Sequence, residues 1–206
     1  MSVPRQSARA SRGLLLVSGE PARVAAWVRR GLVPCHVVAL GRWTAVVPAE
    51  AASRAEPPYD DAAMVLAARP VPHRFRPALG FWSLGDRAVA TVTPRAWRAA
   101  PRWLVWGPGQ GAVPAPGLRL ARALDLAAAA GRPGAGHDVA RLVSQPGGDV
   151  DALLLDLMAL LEVPGGQLLS GTPEGASFVE PAPRLVARFN GRVAEDARHR
   201  AELEGL

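Results

Sequence analysis

Two short stretches of the chain interleave cations with aromatic rings: His73-Arg74-Phe75-Arg76 and Arg95-Ala96-Trp97-Arg98, the latter followed by Arg102-Trp103. Guanidinium groups contact phosphates or carboxylates, and indoles stack on bases or anchor protein contacts. The pattern therefore suits a protein interface or a nucleic-acid surface. Six Trp against one Tyr in 206 residues leaves a third reading, in which Trp82, Trp103 and Trp106 are core and the arginines line its rim. The residues put forward as a contact surface are Arg74, Arg76, Arg95, Trp97, Arg98 and Arg102.

Other constellations carry less. Gly107-Pro108-Gly109-Gln110-Gly111-Ala112 fits the dinucleotide pattern G-x-G-x-x-[GA], yet Pro114 and Pro116 stand where the phosphate-facing helix must begin, so the segment is read as a loop. Gly80-Phe81-Trp82-Ser83-Leu84-Gly85 spaces its serine wrongly for a nucleophile elbow. Cys35 and His36 are adjacent and would point to opposite faces of a strand, which denies them a thiol–imidazole pair. His36, His73, His137 and His199 show no metal-ligand spacing, and Asp60-Asp61 reads as an exposed acidic turn. No catalytic, cofactor-binding or metal-binding residue is predicted.

Composition narrows the chemistry further. The chain contains no Lys, which excludes a phosphate-binding loop of the G-x-x-x-x-G-K-[ST] kind and Schiff-base catalysis. A single cysteine excludes an internal disulfide and multi-cysteine metal sites. The absence of Ile and the excess of Ala, Arg, Gly and Pro read as a G+C-rich bacterial genome. The net charge is +6, with all 24 basic residues Arg, so codon bias accounts for part of it. Residues 1–150 hold 19 Arg against 9 acids, residues 151–206 hold 5 against 9. That asymmetry suits a basic surface on the first part or attraction between the two parts. Leu14-Leu15-Leu16-Val17 is too short for a signal-peptide core, and no stretch reaches the ~20 apolar residues of a membrane span, so a cytoplasmic protein is expected.

These side chains need elements to hold them. Residues 1–12 read as a flexible tail. Leu14–Val17 reads as a strand buried on both faces, and Pro21 opens an amphipathic helix ending at Gly31. His36–Leu40 and Trp43–Val47 flank Gly41-Arg42 as a hairpin; a short helix is predicted over Ala49–Arg54 and a strand over Met64–Ala67. A second hairpin, turning at Gly85-Asp86, a short helix from Pro94 and a strand over Trp103–Trp106 follow. The order matches a ferredoxin-like split βαβ unit. The ββαβ part reads as duplicated, although chance similarity in Ala/Arg/Pro-rich sequence explains the echo equally well.

Helices are predicted over Leu118–Ala130, Val139–Ser144 and Val150–Leu161, then an irregular segment over 171–189 and a last helix capped by Asn190. On that last helix Glu195–His199 and Asp196–Arg200 stand four residues apart. At 100° per residue the apolar residues of 150–161 form an arc of about 160° from which Leu155 alone departs, leaving it solvent-exposed or set in a helix interface. The expectation is an α+β protein with a sheet domain at 13–112 and a helical region at 113–206. Its expected function is non-enzymatic interaction with a protein partner, or with a second copy of itself, and without a cofactor. Nucleic-acid binding and a small metabolite-binding domain or enzyme are the alternatives.

Overall fold

Leu14 to Val17 are buried on both sides because they lie in β1 (Arg12–Val17), near the middle of a sheet that is covered on both faces. The computed structural model describes residues 11–169 and 175–204, so most of the tail predicted at 1–12 lies outside the described residues. After β1 come α1 (Pro21–Val28), β2 (Cys35–Leu40), β3 (Trp43–Pro48), α2 (Ala62–Ala68), β4 (Ala78–Leu84) and β5 (Arg87–Thr93). Then follow β6 (Arg102–Gly107), β7 (Gly111–Val113), α3 (Ala123–Ala129), α4 (Gly136–Ser144), α5 (Val150–Leu160), β8 (Ser177–Val179) and α6 (Pro183–Glu204). The fold is α+β: an antiparallel sheet in the order β7-β6-β5-β4-β1-β3-β2-β8, with six α-helices among the described residues. No helix among those residues is long and apolar enough to cross a membrane.

Alternation along the strands divides the core. Leu14, Leu16, Leu79, Phe81 and Trp106 face α3, α4 and α5, whereas Leu15, Val17, Val46 and Trp82 face α1 and α2. Each fully buried Leu, Val or Phe contributes roughly 1.5–3 kcal/mol. Gly80, between β1 and β5, keeps this layer closed: a Cβ there would overlap the Trp82 indole nitrogen and the Thr91 hydroxyl. The two hairpins turn at Gly41 and Gly85, each with φ of +63°, which glycine adopts without strain.

Several predicted elements differ. Ala49–Arg54 is not helical because its backbone donors are committed elsewhere: Ala49 N–H to Pro34 O, Ser53 N–H to Asp60 O and Arg54 N–H to Leu32 O. The strand predicted at Met64–Ala67 is α2, capped by the Asp61 carboxylate accepting from Met64 N–H at 2.8 Å. Ala62, Ala63, Leu66 and Ala67 form its buried face, a short run on which helical and strand periods are hard to tell apart. No helix stands between β5 and β6. Pro94 and Pro101 bracket a turn there, so the second ββαβ copy lacks its helix.

The glycine-rich run after Trp106 is the turn of the β6–β7 hairpin, closed by Gln110 N–H to Gly107 O at 3.1 Å. α3 is shorter than predicted because Trp103 and Arg119–Ala121 exchange backbone hydrogen bonds along the β6 edge. Within 171–189, β8 pairs with β2 and α6 begins at Pro183, where a missing N–H costs nothing; residues 170–174 lie outside the described residues. Asn190 is thus inside α6 and not its cap. Along that helix Arg200 donates to the Asp196 carbonyl, and His199 lies 3.9 Å from Glu202.

Candidate functional site

The β5–β6 connection carries Trp97 to one end of the sheet, beside a single 3-10 turn at His73–Phe75. Arg76 holds the two segments together. Its Nε donates to Val71 O at 2.9 Å, and its Nη1 to Ala96 O at 2.7 Å and Trp97 O at 3.3 Å. Two carbonyls of the turn, those of Ala96 and Trp97, are therefore satisfied from within the protein. The Trp97 side chain is left in solvent, 76% exposed, with its ring 5.2 Å from that of His73. Arg74 lies with its guanidinium 4.7 Å from the centre of the Phe75 ring, and Arg98 is exposed beside Trp97.

This corner gathers only part of the predicted surface. Arg74, Arg76, Trp97 and Arg98 belong to it, Arg76 as a clamp. Arg102 is occupied elsewhere, its Nη1 2.5 Å from Asp125 Oδ1, while the other Asp125 oxygen accepts from Arg122 N–H at the start of α3. Arg95 opens onto a different cleft of about 360 Å³ with Arg42 and the end of α3, where Arg42 donates to Ala130 O. Leu155 is 46% exposed on α5, close enough to Gly166 that a Cβ there would crowd it, whereas Leu154 is buried. Trp82 and Trp106 are fully buried, as the core reading of the tryptophans expects, and Trp103 packs against the α1/α2 layer.

A second site draws on residues that sequence reasoning passed over. A cavity of about 540 Å³ lies between the ends of α1 and α2 and the first turns of α6. Four arginines line it: Arg30, Arg69, Arg188 and Arg192. Arg69 donates to Trp27 O and Val28 O at the end of α1, carbonyls that also accept from Arg30 N–H and Gly31 N–H, and stacks 4.0 Å over the Trp27 ring. Burial lowers its pKa to about 10, so it stays charged at neutral pH. Gly31 leaves room for this guanidinium, which a Cβ would overlap. Tyr59 and Phe189 meet edge to face at 5.2 Å and form an aromatic wall. Helix α6 is tied to this region by Ala182 N–H to Arg29 O and by Arg54, which bridges Glu50 and Glu180. Only the i,i+4 spacing of Arg188 and Arg192 was visible in the sequence.

Cys35 and His36 do point apart. Cys35 is buried against α1 and α2, donating to Val33 O at 3.3 Å, while the His36 ring lies 5.7 Å from Phe178 on β8. Burial pushes the thiol from 9.0 up to about 12, with the nearby Arg69 charge opposing. A pKa raised in the folded state adds stability below the unfolded value, and this is lost as pH rises towards the folded one. Thermal melts between pH 8 and 11 are expected to show a steeper alkaline loss for wild type than for Cys35→Ala. Arg69, with its depressed pKa, works in the opposite direction in both proteins, and the difference between them reads the thiol together with its attraction for Arg69. Equal slopes would contradict its buried, protonated state.

Ser83 is buried on β4, its hydroxyl without a hydrogen-bond partner among the described residues, as a strand residue and not on a nucleophile elbow. Among the described residues, no three His, Cys, Asp or Glu side chains are placed to share a metal ion. No family model, curated protein or solved structure matches the chain.

Proposed function

We propose that the protein is a non-enzymatic interaction protein that docks an acidic partner protein on the Trp97 corner. The single observation carrying this reading is a tryptophan 76% exposed on a turn whose carbonyls Arg76 already holds. A rigid aromatic anchor flanked by arginine loses little conformational freedom on binding, and Trp and Arg dominate binding hot spots. Charge supports the same partner: from Ala62 to Leu124 the only acid is Asp86, which lies in the β4–β5 turn at the far end of the strands.

The unit formed by β1, α1, β2, β3, α2 and β4 is proposed to be ferredoxin-like. Its strand order β4-β1-β3-β2 and the placement of both helices on one face support this. The division near residue 112 is proposed as one of roles, with 13–112 presenting the corner and 113–206 covering the sheet. The proposed setting is the cytoplasm, where a chain with one cysteine needs no disulfide.

A partner retained on the full-length protein and then purified is expected to bind Trp97→Ala about 2 kcal/mol more weakly, roughly thirtyfold. Undiminished binding to Trp97→Ala contradicts the reading. Nuclease-sensitive material absorbing at 260 nm and released by salt, with binding weakened uniformly by Arg95→Gln/Arg98→Gln, would favour nucleic acid instead.

A further inference from the structure

Several arginines elsewhere on the surface find acids: Arg54 with Glu50 and Glu180, Arg102 with Asp125, Arg132 with Glu162 and Arg141 with Asp138. The four that line the cavity at the ends of α1 and α2 do not. None of its lining residues is acidic. Arg69 is held only by main-chain carbonyls and an indole face, and the side chains of Arg30, Arg188 and Arg192 make no ion pair among the described residues. Converging like charges repel unless an anion lies between them, and a guanidinium half withdrawn from water gains most from such a partner.

The remaining wall is apolar. Tyr59 and Phe189 present ring surface, with Leu32, Val65 and Leu185 beside them. The lining is therefore divided, cationic forks on one part and aromatic surface on another, in a volume within the range of small-molecule sites. Planar guanidinium groups match phosphate oxygens in pairs, and aromatic rings accept a flat heterocycle. We propose that this cavity binds a nucleoside phosphate, its phosphates between Arg30, Arg69, Arg188 and Arg192 and its base against Tyr59 and Phe189. The site is separate from the Trp97 corner and does not depend on a partner docking there.

Isothermal titration of the full chain with ADP, adenosine and inorganic pyrophosphate tests the assignment. ADP is expected to saturate one site per chain, with adenosine and pyrophosphate each at least about tenfold weaker because each engages half of the lining. Arg188→Gln/Arg192→Gln, on the exposed surface of α6, should weaken ADP at least about tenfold without lowering the melting temperature. Phe189→Leu should weaken ADP and leave pyrophosphate unchanged. Arg74→Gln/Arg98→Gln, at the other site, should leave ADP binding at the wild-type value. The proposal is overturned by the absence of saturable ADP binding or by equal loss in the Arg74/Arg98 and Arg188/Arg192 pairs. Pyrophosphate binding as tightly as ADP would also overturn it, since the aromatic wall would then play no part.

Discussion

Leu154→Asp is expected to unfold the protein at room temperature, whereas Leu155→Asp, one residue further along the same helix, is expected to be nearly silent. Leu154 is 1% exposed and lies between α5 and the sheet, in the cluster that also holds Leu14, Phe81 and Trp106. An aspartate there loses the leucine's packing and places a carboxylate among buried apolar side chains. Large-to-small changes at such sites cost about 2–5 kcal/mol before any charge is considered, and an uncompensated buried charge adds several more. Folded domains hold only about 5–15 kcal/mol in total.

Leu155 falls outside the buried arc, so its substitution is expected to change stability by no more than about 0.5 kcal/mol and to leave the solution mass unaltered. Urea melts and light scattering on both variants check the pair. A folded Leu154→Asp, or a fall in solution mass for Leu155→Asp, contradicts this placement of α5.

Trp106→Ala is expected to cost about 3–5 kcal/mol, the range for emptying a large aromatic site. The side chain is fully buried, and its indole N–H donates to Gln145 O at 3.1 Å, tying β6 near the edge of the sheet to the end of α4. Two contributions are joined in that figure, and Trp106→Phe separates them. Phenylalanine restores most of the ring and leaves the Gln145 carbonyl without its donor, at an expected cost of about 1–3 kcal/mol. Chemical denaturation of the three proteins should therefore rank wild type, Phe and Ala in falling order. A Phe variant as unstable as Ala would mean that the hydrogen bond outweighs the packing.

The parts of this fold that were legible before its structure are those whose signal is local. Gly13 and Ser18 bound the apolar run of β1, single glycines mark the two hairpins, and the arc of α5 repeats over three turns. Elements that exist through distant partners were not legible. β7 and β8 are three residues each and are strands because β6 and β2 lie beside them. Ala49–Arg54 has helical composition, yet its donors go to Leu32, Pro34 and Asp60.

The sites divide in the same way. Trp97 and its flanking arginines stand together in the sequence and stand together in space, whereas Arg95 and Arg102 are drawn off by α3. The arginine cavity is assembled from three segments far apart in the chain, and 24 arginines offer too many combinations for spacing to single out these four.

The Trp97 corner is tested most directly by photo-crosslinking in the source cell, with a benzophenone side chain placed at the exposed position 96, so that Trp97 is kept, and, as a control, at the exposed Leu203 near the end of α6. The expected result is a discrete protein adduct from position 96, absent from position 203 and abolished when Arg74 and Arg98 are both replaced by Glu. No adduct at 96, the same adduct at 203, or an adduct that survives the charge reversal would contradict docking of an acidic protein at this corner.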